Sequence, residues 1–246
     1  MDVEALLEAV AAGETSVADA RAQLEGYTRV DDFARLDTGR SARNGVPEVV
    51  LGEGKSPGQV ADIVAEFLAE QDRVVVSRAS DDQRAALAAL DATLEWHDRA
   101  GLAVVATYGA DPPEAAGRVA VVTGGTADVP VAEEAAVVAR EMGRAVSTHY
   151  DVGVAGIHRL LGEVEDIDAA DCTVVAAGRE GALATVVAGL VDTPVVGLPV
   201  SVGYGHGGGG EAALSSMLQS CAVLSVVNID AGVVAGAQAA QIARPD

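Results

Sequence analysis

The chain has 246 residues, half of them hydrophobic, which suffices for one or two domains with a sizeable core. Its 37 acidic and 16 basic residues leave a formal charge of −21, which argues against nucleic acid as a partner, because phosphate binding needs a basic surface. It has only two cysteines, no run of about 18 uninterrupted apolar residues and no basic N-terminal region, so free thiols, no membrane span and a cytoplasmic location are expected.

Lys55 is the single lysine, and every other fixed cation is arginine. The acidity reads as adaptation to high salt, where screening weakens self-repulsion. The melting temperature is therefore expected to rise between low and molar salt; a flat or falling value contradicts this reading.

Taken in chain order, residues 1–30 read as short amphipathic helices, with Leu6, Leu7 and Val10 at helical spacing and Ser16 as a cap. Residues 36–56, LDTGRSARNGVPEVVLGEGKS, form a glycine-rich loop with one short strand, PEVVL. A helix is predicted over 57–70 behind Pro57, a strand over 73–79 and a second helix over 80–93. LEWHDRAGLAVVATYG alternates as one or two strands, and the Pro- and Gly-bearing stretch ending near 117 closes this half.

The second half is more regular. Apolar strands begin at Arg118, Arg144, Cys172, Pro194 and Ala222, the last over 222–230, and each is followed by a turn and a helix, the one before Ala222 running over 211–221. The predicted class is α/β: a doubly wound parallel sheet over 118–246, preceded by a smaller α/β domain over 1–117. Ligands in such sheets bind beyond the carboxyl ends of the strands, which directs attention to the turns.

TGGTAD, residues 123–128, can cradle a phosphate on the backbone N–H groups of Gly125 and Thr126. Asp128 can equally serve as a plain helix cap. In AAGREGALATVV, Glu180 sits at the entry to an almost wholly apolar helix, with Gly178 and Arg179 beside it. It is either a first-turn carboxylate favoured by the helix dipole or a general base, with Arg179 as anion partner. GYGHGGGG, residues 203–210, holds Gly205 and His206 and is either a lid or a linker. Cys221 lies near a helix end, where a thiol can be inert filler or a nucleophile, and Cys172 reads as filler. His149 and Tyr150 end a strand and can reach a ligand, and Arg40 and Arg43 in the 36–56 loop are a candidate anion clamp. Neither histidines nor cysteines have zinc-ligand spacing.

Six segments, LDTGRSARNGVPEVVLGEGKS, VVTGGTADVPVAEEAA, THYDVGVAGIHRL, AAGREGALATVVAGLV, GLPVSVGYGHGGGGEAALSSMLQSC and NIDAGVVAGAQAAQI, resemble the LarB family in order. These are pyridinium-3,5-biscarboxylic acid mononucleotide synthases, which open the biosynthesis of a nickel-pincer nucleotide. The resemblance implies a PurE-like C-terminal sheet and assembly as a homo-octamer. It also implies a reaction: CO2 carboxylates nicotinic acid adenine dinucleotide at pyridinium C5, and the phosphoanhydride is then hydrolysed with release of AMP. The family's covalent cysteine falls on Cys221 and its C5 base on Glu180. No cofactor is implied, and a divalent cation such as Mg2+ for the hydrolysis is left open. The family commonly has Ser where Ala127 stands. Two rival readings are an aminoimidazole ribonucleotide carboxylase or mutase of the PurE type and a non-catalytic adenine-nucleotide sensor. The first expects a His near the start of the helix, where this chain reads GREGAL.

Overall fold

The computed structural model describes residues 3–17, 20–21, 27–30, 34–37 and 45–245. The chain divides into two compact units, Met1–Trp96 with Ala103–Ala110, and His97–Leu102 with Asp111–Asp246. Among the described residues no helix is long and apolar enough to cross a membrane.

The N-terminal region contains helix α1 (Val3–Ala12) and an antiparallel pair, β1 (Thr28–Val30) and β2 (Ala34–Leu36). There follow β3 (Val49–Leu51), α2 (Pro57–Glu70), β4 (Arg73–Ser77), α3 (Asp81–Leu87), β5 (Thr93–His97) and β6 (Leu102–Ala106). The last four strands form a mixed sheet of order β3-β4-β6-β5, with β3 parallel and β6 antiparallel to β4. Both helices start at serines whose side chains accept the N–H three residues on, while Gln59 and Gln83 reach back to the serine N–H. Helix α3 is shorter than the expected 80–93, because Leu94 and Trp96 pack inward at strand spacing and draw this stretch into β5.

The C-terminal region alternates β7 (Arg118–Thr123), α4 (Val129–Glu141), β8 (Ala145–His149), α5 (Ile157–Asp168), β9 (Cys172–Ala177) and α6 (Ala182–Ala188). It continues through β10 (Val195–Pro199), α7 (Glu211–Leu218), β11 (Ser225–Val226) and α8 (Gly232–Ile242). The sheet order is β11-β10-β9-β7-β8 and every pairing is parallel. This is the doubly wound α/β architecture with a smaller α/β region before it. The central strands β7, β9 and β10 are buried on both faces, so alternate residues serve opposite layers. Val119 and Val121 pack toward α4 and α8, and Ala120 and Val122 toward α5, α6 and α7. The Ala- and Gly-rich composition has a direct use between α4 and α8. There a Cβ at Gly236 would collide with the Ala135 carbonyl oxygen, so only glycine permits the helices to lie so close.

Two predicted elements near the C-terminus come out shorter. Helix α7 stops at Leu218 rather than at Cys221, because Ser220 Oγ accepts the Ala222 N–H at 3.1 Å and turns the chain. The strand expected over 222–230 pairs only at Ser225 and Val226. Beyond them the Ile229 N–H goes to Asn228 Oδ1, and Asp230 turns into a left-handed conformation at φ 55°.

Candidate active site

Strand β7 lies between β8 and β9, so the chain leaves it first to one side and later returns on the other. A crevice opens at that reversal, beyond the carboxyl ends of β7 and β9. Its two walls are the turns that follow these strands, residues 124–128 and 178–181. Asp128 joins them. Its Oδ2 accepts the Gly125 N–H at 2.8 Å and its Oδ1 accepts the Gly178 N–H at 3.0 Å. The backbone packs closely here: a Cβ at Gly178 would strike the Val202 carbonyl oxygen, and one at Gly153 the Gly124 carbonyl oxygen.

Two adjoining cavities occupy the crevice. The larger, about 620 Å³, is lined by Gly124, Gly125, Asp128, Gly178, Arg179 and Glu180 among others. The smaller, about 310 Å³, is lined by the glycine loop with Gly205 and His206, and again by Arg179 and Glu180. Val202, Gly203 and Tyr204 line both. Glu180 is exposed and follows Arg179, a non-glycine residue held at φ 55°. Such a conformation costs about 1–3 kcal/mol and is sustained by its surroundings. It brings two neighbouring side chains of opposite charge into the wall shared by both cavities.

The N-terminal residues 27–107 match the LarB/PurE-like N-terminal domain, and residues 118–245 match AIR carboxylase. An uncharacterized protein of Methanocaldococcus jannaschii is 34% identical over 249 residues, covering 97% of this chain and 96% of that protein. The chain belongs to the LarB family. Its C-terminal sheet is the PurE-like domain, and both matches mark a carboxylase-type enzyme. The N-terminal match separates this LarB-family chain from a bare aminoimidazole ribonucleotide carboxylase domain.

The sequence-derived candidates do not all gather in the crevice. Thr126 is exposed and lines neither cavity, whereas its neighbour Ala127 lines the larger one. His149 is buried at the end of β8 and lines a separate cavity of about 370 Å³. Its Nδ1 lies 2.9 Å from Glu163 Oε2 and its Nε2 lies 3.1 Å from Ser147 Oγ. In the neutral ring the carboxylate selects Nδ1–H, and Nε2 accepts from the serine. Tyr150 packs against the α4 and α8 layer, and burial, aided by Glu133, pushes its phenol above the ordinary value. Arg40 and Arg43 lie outside the described residues. Cys221 is exposed and lines neither crevice cavity. Its bend is nevertheless tied to the Glu180 helix, since Thr185 Oγ1 on α6 donates to Ser220 Oγ at 2.9 Å. Among the described residues no group of three His, Cys, Asp or Glu could hold a metal ion.

Two features escaped sequence reasoning. Tyr204 stands in the GYG segment, and its scarcity was the available signal, because the chain has four tyrosines. The use of Asp128 as a bridge between turns had no sequence signal, because its partner Gly178 is 50 residues away.

Burial pushes the Asp128 carboxyl above the usual aspartate range, against the pull of its two N–H bonds. The folded state therefore holds this proton more tightly than the unfolded state. That stabilising contribution is complete below the ordinary aspartate value and is lost as pH rises through the raised one. Asp128→Asn removes this slope from the stability profile. The amide can accept one of the two N–H groups, but its own NH2 then faces the other. The expected loss is about 1–3 kcal/mol, read by thermal or denaturant unfolding as a function of pH. An unchanged stability and an unchanged pH profile contradict the bridging role.

Proposed function

We propose that this chain carboxylates nicotinic acid adenine dinucleotide at pyridinium C5 with CO2 and hydrolyses its phosphoanhydride. The products are pyridinium-3,5-biscarboxylic acid mononucleotide and AMP. The observation that carries this reading is the placement of Glu180 and Arg179 together in the wall of a glycine-lined crevice, within a chain of the LarB family. The Arg179 guanidinium suits phosphates, whereas the Gly125 N–H expected to cradle one is taken, like that of Gly178, by the Asp128 carboxylate. Glu180 suits proton removal from the ring.

The chemistry requires the soft nucleophile. A pyridinium is electron-poor and does not attack CO2. Addition of the Cys221 thiolate at C4 makes a neutral dihydropyridine whose C5 is an enamine carbon. C5 attacks CO2, Glu180 takes the C5 proton, and expulsion of the thiolate restores the aromatic ring. The sequence is redox-neutral and replaces the C5 hydrogen with a carboxylate. Water then cleaves the anhydride.

Cys221 lies outside both cavities of the single chain, beside Leu218 and Val223, which are 65% and 94% exposed. Assembly of copies into a cytoplasmic homo-octamer would cover this apolar surface, and we take the assembled particle as the active form. Sedimentation analysis checks the state directly; an active monomer overturns that part. The function itself is tested by incubating the protein with the dinucleotide and bicarbonate-derived CO2. Mass analysis should find AMP together with a dicarboxylated mononucleotide. Absence of the carboxylated product at high enzyme concentration overturns the proposal.

A further inference from the structure

Tyr204 is 82% exposed, yet it is not simply turned out to solvent. It stands between the two cavities and lines both. One face of its ring is covered by Arg179, whose guanidinium carbon lies 4.4 Å from the ring centroid. The accompanying polar contact, from Arg179 Nη1 to the Tyr204 carbonyl oxygen, is long at 3.4 Å. The pair is therefore held chiefly by attraction of a planar cation to the negative face of the ring.

We propose that Tyr204 is the platform for the cationic ring of the substrate, and that Arg179 is a stand-in cation which that ring displaces. This rests on the pyridinium dinucleotide reading given above. A guanidinium and a pyridinium are both flat, delocalised and positively charged, so one can replace the other on the tyrosine face. The exchange frees the guanidinium while leaving it in the same cavity wall, where the substrate's pyrophosphate requires a cation. A substrate carrying both charges thus satisfies each by parting one internal pair. A ring without charge cannot complete the exchange, because it would remove a cation from the aromatic face and return nothing equivalent. The site should therefore select the oxidised, cationic ring. It should relax its hold once thiolate addition has neutralised that ring, leaving Glu180, the next residue along the wall, beside the intermediate.

The test is calorimetric binding without CO2, in the Cys221→Ser background so that covalent addition contributes nothing. The ligands are nicotinic acid adenine dinucleotide and its chemically reduced dihydro form, and the added variants are Tyr204→Phe and Tyr204→Leu. With tyrosine or phenylalanine at 204, the cationic form should bind about tenfold more tightly than the neutral one. With leucine the two affinities should converge, mainly through weaker binding of the cationic form. Because Tyr204 is so exposed, loss of folding is not expected, and circular dichroism of each variant verifies this. If Tyr204→Leu keeps the full preference, or if the parent shows none while binding both forms, the platform is overturned and the function stands. If the parent binds neither dinucleotide, the pyridinium reading itself falls and this proposal with it.

Discussion

Cys221→Ser is expected to fold normally and to lose carboxylation by at least about a thousandfold. The fold should survive because the side chain is exposed, and isosteric surface changes cost little. The activity should not survive, because in the proposed mechanism the group must both attack C4 and leave it again. A serine alkoxide is far harder to generate at neutral pH, and it is a worse leaving group than a thiolate. Cys172 offers no rescue. It is fully buried in β9, and burial pushes its thiol up to about 12. Rates of dicarboxylated mononucleotide formation measured under saturating CO2 decide the matter. A Ser variant within tenfold of the parent would show that no covalent adduct is needed.

Glu180→Gln should lower turnover by about two to four orders of magnitude while changing dinucleotide affinity little. The amide preserves the length of the side chain but cannot accept the C5 proton. Carboxylation would then stop at the C5 adduct, which can only lose CO2 again. Single-turnover kinetics separates this from a binding defect. A raised KM with kcat retained would make Glu180 a binding residue and leave the base unassigned. Its position argues for the chemical role: it lines both cavities, directly after the strained Arg179, in the turn that ends β9.

These two residues also show how far the amino-acid order reaches. The place of Glu180 in the crevice wall was legible because a charged residue between AAGR and GALATVV interrupts an apolar run at a strand-to-helix boundary, and strand ends of α/β sheets are where ligands sit. For Cys221 the proposed role came only through resemblance. Composition alone makes an alanine- and valine-flanked cysteine look like core, whereas it is exposed in a bend that Ser220 creates. His149 illustrates the converse. Its place at the end of β8 suggested ligand contact, but the direction of its side chain depends on strand pleat, and the pleat turns it toward Glu163 and away from the crevice.

Alternating apolar strands and helices were enough to specify a parallel, doubly wound sheet, because burial on both faces demands continuous apolar strands and crossover helices. The chemical types in the turns were equally local. Glycines permit close backbone approach, and arginine and glutamate bring charge, wherever the chain places them. Strand order was not local. It depends on which strands share hydrogen bonds, and only the β8-β7-β9 arrangement sets the 124–128 and 178–181 turns face to face. The Asp128 bridge and the Arg179–Tyr204 stack belong to the same category. Each joins groups brought together from separate turns, 50 residues apart for Asp128 and Gly178 and 25 for Arg179 and Tyr204. Periodicity and propensity describe near neighbours, so pairings at such separations are decided by packing in three dimensions.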